Sequence, residues 1–171
     1  MPPTERVELD TRSAPFEHYK AIRPLATARS GRAPDAHARH QLYAAVDRRT
    51  NVPALVKVTA RPGLFYEQNI NNEIASLTSI NRALPDSRHF PLVLDHGRLR
   101  DGRVFLITTL FDEFPLATTI GAERASGRLV SHLRTAVAAS RVVAELHRVP
   151  VIHVDLNPMN ILYRTERGGP V

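Results

Sequence analysis

Apolar and polar positions alternate along this chain in blocks that have the lengths of strands and helices. Residues 19–25, 42–46 and 53–59 are short apolar stretches and predict three strands. The polar run Asp47-Arg48-Arg49-Thr50-Asn51 separates the second from the third, and strand, polar turn and strand at this distance predict a hairpin. Over residues 65–84 the spacing becomes helical, with Ile70, Ile74, Leu77, Ile80 and Leu84 on one face, and Pro85 ends the helix. Residues 90–94 and 104–111 predict two more strands, joined by a polar turn containing Gly97, Asp101 and Gly102. Beyond Pro115 the pattern predicts a short helix over 118–125 and a longer one over 129–147. The longer one is apolar on most sides, which predicts a core helix. A polar loop then lies between Val151-Ile152 and Ile161-Leu162-Tyr163. Residues 1–18 hold three prolines and no period and predict a mobile lead-in; residues 26–40 predict a loop.

Composition narrows the classes. The chain has 171 residues, 43% apolar and 23% charged, close to soluble globular averages. It has no cysteine, which excludes disulfides, thiolate metal sites and a cysteine nucleophile. No apolar run is long enough to span a bilayer, and residues 1–12 contain no apolar signal-peptide core, so a cytoplasmic protein without a membrane partner is expected. The net charge is +6, but the arginines are scattered and form no basic block, so nucleic acid is not an expected partner.

Charge type is more informative than charge. Of 23 basic residues only two are lysines, Lys20 and Lys57. Lys57 interrupts the apolar strand Ala54-Leu55-Val56-Lys57-Val58. An ammonium taken out of water needs an anionic partner. The following helix offers two carboxylates, Glu67 and Glu73; Glu73 is the better placed, because Ile74 and Leu77 beside it face the sheet. The ordinary alternative is an edge-strand lysine facing water.

The second chemical signal is the octet His153-Val154-Asp155-Leu156-Asn157-Pro158-Met159-Asn160. It places a carboxylate and, five residues on, an amide oxygen on one short loop stiffened by Pro158. A carboxylate that accepts a hydroxyl proton and an amide that reaches a phosphate-bound magnesium ion need that arrangement. The ordinary alternative is an Asp-Asn-Pro surface turn.

The octet fits His-x-Asp-Leu-x-x-x-Asn, and together with the order of elements it resembles the eukaryotic-like protein kinase family over residues 19–171. Tyr43-Ala44-Ala45-Val46-Asp47 is similar to the family's second strand, Leu55-Val56-Lys57 to its Val-Ala-Ile-Lys strand, Asn72-Glu73-Ile74 to the helix that pairs with that lysine, and Glu145-Leu146-His147 through Leu162 to the helix end and catalytic loop. The resemblance implies an α+β fold: a five-stranded antiparallel sheet with one helix between its third and fourth strands, then the start of a helical lobe. In those terms residues 1–18 are the lead-in, 19–114 the amino-terminal lobe and hinge, and 115–171 the beginning of the second lobe. It further implies ATP and Mg2+ as cofactors, a protein substrate or partner, and serine/threonine-kinase-like phosphoryl transfer. Lys57 would hold the α- and β-phosphates and pair with Glu73. Leu55 would lie over adenine, Leu110 and Phe111 would form the hinge, and Thr108 would guard the pocket behind it. Asp155 would be the catalytic base, Asn160 the metal ligand, and His153 a brace for the loop.

Five departures stand against that pattern. Gly31 is the only glycine between Leu25 and Leu42, Leu55 replaces a small alanine, Val154 an arginine, and Asn157 a lysine. The Asp-Phe-Gly segment expected after Asn160 does not occur before Val171. The 171 residues by themselves are therefore expected to bind ATP weakly, if at all, and to transfer no phosphate at a useful rate. A fragment, half of a split enzyme and a remnant all fit that expectation. Should transfer occur, Asp112 and Glu113 are the first alternative metal ligands. Two other readings share the same residues: a small-molecule kinase of the aminoglycoside or choline phosphotransferase type, and a non-catalytic pseudokinase that binds partners.

Overall fold

The computed structural model describes residues 9–25, 39–111, 114–117, 129–151, 157 and 160–163. The chain divides into two compact units, residues 1–81 with 90–110, and residues 82–89 with 111–171.

The first unit is built on a five-stranded antiparallel sheet in the order β1-β2-β3-β5-β4, with β1 Tyr19–Pro24, β2 His40–Asp47, β3 Pro53–Thr59, β4 Val93–Arg98 and β5 Val104–Thr109. The helix α1, Leu64–Ala83, lies in sequence between β3 and β4. The β2–β3 hairpin turns where its chemistry says it should. Asp47 Oδ1 accepts from the backbone N–H groups of Arg49 and Thr50 at 2.7 and 3.3 Å, and Asn51 takes the left-handed conformation that asparagine tolerates, with φ 58°. In β3 alternate residues face opposite ways. Ala54, Val56 and Val58 are fully buried and pack with Tyr19, Phe105 and Ile107. The other face carries Leu55 and Lys57, and on that side Val104 and Leu106 pack with Ile70, Ile74 and Leu77 of α1. Each fully buried larger aliphatic side chain contributes about 1.5–3 kcal/mol, and β3 supplies Val56 and Val58 to the first of these two clusters.

Three expectations are corrected in this unit. The lead-in expected over 1–18 contributes to the core: residues Phe16–His18 form a 3-10 turn, and Phe16, 1% exposed, meets the Phe105 ring edge-on at 5.8 Å. The fourth strand, expected over 90–94, runs Val93–Arg98 instead. Pro91 has no N–H for a ladder, and pairing is set up after it, where Leu92 N–H donates to Thr109 Oγ1. Gly97, expected in the turn, lies within β4 because the Phe105 ring occupies its side-chain space; a Cβ there would stand 3.2 Å from that ring. The turn itself is 99–102, closed by Gly102 N–H to Leu99 carbonyl at 3.0 Å with Gly102 at φ 85°.

In the second unit, α2 spans Leu129–Leu146, and the two-residue strands β6 Phe114–Pro115 and β7 Leu162–Tyr163 pair antiparallel. His89 Nδ1 lies 2.6 Å from Glu145 Oε2, tying the segment after α1 to α2. Hydrogen bonds from His89 first, then Ser87, hold the Glu145 carboxyl below its ordinary value. The expectation that α2 is a core helix fails on one side: Leu133 and Val137 are 60% and 51% exposed, while Thr135 and Leu146 are buried. The short helix expected over 118–125 lies outside the described residues. Among the described residues no helix is long and apolar enough to cross a membrane.

Candidate functional site

Lys57 sits on β3, the central strand of five, so it is not an edge lysine. Its cross-strand neighbours are Leu42 on β2 and Leu106 on β5, the latter 1% exposed. Such surroundings leave an ammonium little water, and it turns to the helix. Lys57 Nζ donates to both carboxylate oxygens of Glu73, at 2.8 and 2.6 Å. These are lengths of charge-assisted bonds, and the pair is half-buried. The pairing expected from the sequence is the one that forms.

The rival carboxylate is occupied elsewhere. Glu67, one of the few buried charged side chains, takes both guanidinium nitrogens of Arg98 at 2.8 and 2.7 Å and the Gly63 N–H at 2.9 Å. Gly63 immediately precedes α1, so Glu67 also satisfies a backbone donor at the helix start. Arg98 first, and then that backbone bond, pull the Glu67 carboxyl from 4.5 to about 2. The two glutamates thus divide the work: Glu67 fixes the first turn of α1 against β4, and Glu73, six residues on, meets Lys57. Sequence reasoning did not find the Arg98–Glu67 pair, because its two members lie 31 residues apart and both types are common on surfaces.

Around Lys57 the sheet places other expected residues. Leu55 is half-buried on the same face, paired with Ala44 and Thr108. Thr108 is buried at 4% exposure. Leu110 follows β5, and its N–H donates to the Pro53 carbonyl at 2.9 Å. That donor is therefore not available to a base edge. Phe111 is half-buried and belongs to the second unit.

His40, at the start of β2, pairs with Thr59 and shares the face of Leu42 and Lys57. Its Nε2 is buried without a hydrogen-bond partner. Burial first, and then the Lys57 charge, hold its imidazole below the ordinary 6.5. Sequence reasoning placed His40 at the end of a loop and gave it no role.

Asn160 N–H donates to the Asn157 carbonyl at 3.0 Å. Asn157 is half-buried and Asn160 exposed. Asn160 lies just before β7, and there Leu116 N–H donates to the Ile161 carbonyl at 2.7 Å beside the β6–β7 ladder. Asp155 and His153 lie outside the described residues, as do Val154, Asp112 and Glu113. Among the described residues no group of three His, Asp or Glu side chains could hold a metal ion by itself. No protein-family model matches the chain, and no curated protein matches it.

Proposed function

We propose that this chain binds ATP through Lys57 and carries the phosphate-binding and catalytic-loop parts of an ATP-dependent phosphotransferase of the serine/threonine protein-kinase type. The observation that carries the reading is the Lys57–Glu73 pair. It puts one of only two lysines on the central strand, held by a helix carboxylate in a half-buried setting. A cation needed only for solubility would stand at an edge or on an outer face, where a hydrated ammonium costs nothing. A compact charge positioned by a partner is suited to the phosphate chain of a nucleotide.

In this reading Glu73 orients the ammonium, and Lys57 neutralises the α- and β-phosphates. Leu55 packs over the adenine ring. Leu110 and Phe111 border the base; with the Leu110 N–H bonded to Pro53, its carbonyl is the group left to meet the adenine edge. Asp155 accepts the proton of the attacking hydroxyl. Asn160 offers a hard amide oxygen, the donor type magnesium takes, and magnesium bound to phosphates needs only one or two such protein ligands. When bound, magnesium would neutralise charge developing on the phosphates. The acceptor favoured by the resemblance is a protein hydroxyl, and the expected compartment is the cytoplasm.

The test is displacement of a fluorescent ATP analogue from the full chain by ATP with magnesium. Wild type should release the analogue as ATP is added, and Lys57→Met should bind at least tenfold more weakly, a loss of about 1.4 kcal/mol. Equal binding by the two proteins would remove Lys57 from the site.

A further inference from the structure

Gly31 is the only glycine between Leu25 and Leu42. A backbone cradle for phosphates usually depends on glycines that let N–H groups approach closely. In this chain anion contacts near Lys57 must come largely from side chains. Among the described residues, His40 is the one placed for it.

Three observations converge on that residue. Its position at the start of β2 sets it diagonal to Lys57 across the β2–β3 ladder, a separation of roughly 7–8 Å that long or aromatic side chains bridge. The Tyr66 carbonyl of α1 lies close enough to the ring to favour its protonated form. Nε2 is buried with its hydrogen-bonding capacity unused, which is unfavourable until a partner reaches it.

We propose that His40 is a third ligand-contacting residue of the Lys57–Glu73 site, its Nε2–H donating to the phosphate chain of the bound nucleotide when the ring is protonated. The proposal rests on the nucleotide reading of Lys57. The charged groups acting on His40 among the described residues are Lys57 on β3, Glu73 on α1 and Arg39, which immediately precedes β2, with the Tyr66 carbonyl of α1 as an uncharged neighbour. Without an anion, burial and Lys57 disfavour the imidazolium. A polyphosphate reverses the local field, so binding takes up a proton from solvent. Contact also requires the chain atoms that cover Nε2 to move aside.

The experiment is a nuclear magnetic resonance titration of the full chain with magnesium-saturated ATP, and in parallel with magnesium tripolyphosphate, at several pH values. The chain has eight histidines, and His40→Gln identifies the His40 ring signals by their loss. Three results together are expected. The His40 ring titrates at higher pH in the presence of either ligand, amides flanking His40 shift, and wild-type affinity falls about tenfold from slightly acid to slightly alkaline pH, the change a one-unit rise on binding produces. His40→Gln should bind with little pH dependence. If amides around Lys57 respond to ATP while the His40 titration stays fixed, the proposal falls and the nucleotide site stands. If neither Lys57 nor His40 responds to either ligand, the nucleotide reading falls and takes the proposal with it. If ATP acts and tripolyphosphate does not, His40 senses the nucleoside rather than phosphate, and the proposal is again overturned.

Discussion

Replacing Lys57 by methionine separates a ligand-binding role from a structural one. The methionine keeps the unbranched apolar stem between Leu42 and Leu106 and removes only the charge. The size of the effect follows from exposure. Exposed ion pairs contribute about 0.2–1 kcal/mol, whereas losing one partner of a fully buried pair costs about 3–5 kcal/mol. The Lys57 and Glu73 side chains are 21% and 36% exposed. The carboxylate released in Lys57→Met can regain water, so the cost should be about 1 kcal/mol, nearer the exposed limit. In a domain of this size that lowers the melting temperature by about 2–4 °C. The assay is urea denaturation followed by circular dichroism on wild type, Lys57→Met, Glu73→Gln and the double variant. The cycle should give a coupling of about 0.5–1.5 kcal/mol, as contacting residues usually do. A coupling above about 3 kcal/mol would show a buried structural pair and refute the exposure argument. A coupling of zero would show that the pair does not form in solution.

Three further outcomes are expected. Asn81 of α1 donates to the Pro91 carbonyl at 3.0 Å and accepts from Val93 N–H at 2.8 Å, clamping the helix to the start of β4; Asn81→Ala should cost about 1–3 kcal/mol in denaturant unfolding, and a loss below measurement error would refute the clamp. The Glu67 carboxyl is depressed from 4.5 to about 2, so the stability it confers is present above pH 4.5 and lost as pH falls toward 2. Acid titrations followed by circular dichroism should show a flatter decline across that window in Glu67→Gln than in wild type. Ala21 holds a left-handed φ of 54° where the register shifts between Lys20 and Arg23. Ala21→Gly should therefore raise the melting temperature, relieving strain of roughly 1–2 kcal/mol less the entropy glycine adds to the unfolded chain.

What could be read in the sequence was what is local. The third strand was legible to the residue because Pro53 and Thr59 bound a short apolar run interrupted only by Lys57, and the β2–β3 turn because aspartate and asparagine carry the turn chemistry themselves. The Lys57–Glu73 pair was legible because a cation among apolar neighbours demands a partner and, of two carboxylates on the following helix, Glu73 stands beside the sheet-facing Ile74 and Leu77. Other features depend on distant partners. Phe16 gave no signal, since a single aromatic among prolines becomes core only when Phe105 is brought to it. The start of β4 is set by Asn81, a polar helix residue whose amide serves a backbone ten and twelve residues away. His40 looked like the end of a loop, and only the register of β2 on β3 puts it on the face of Lys57.

The most direct test of the account uses the scarcity of lysine. An acyl phosphate of ATP transfers its acyl group to an amine held beside the nucleotide phosphates, forming an amide and releasing the nucleotide. The chain offers two side-chain amines for this, Lys57 on the central strand and Lys20 on the exposed part of β1, so each protein carries its own control. Peptide mass spectrometry after brief exposure of the full chain to the probe should find Lys57 acylated, and millimolar ATP with magnesium should suppress that label while leaving the slower reaction of Lys20 unchanged. Labelling confined to Lys20, or labelling of Lys57 that ATP does not suppress, would contradict a nucleotide phosphate site at Lys57.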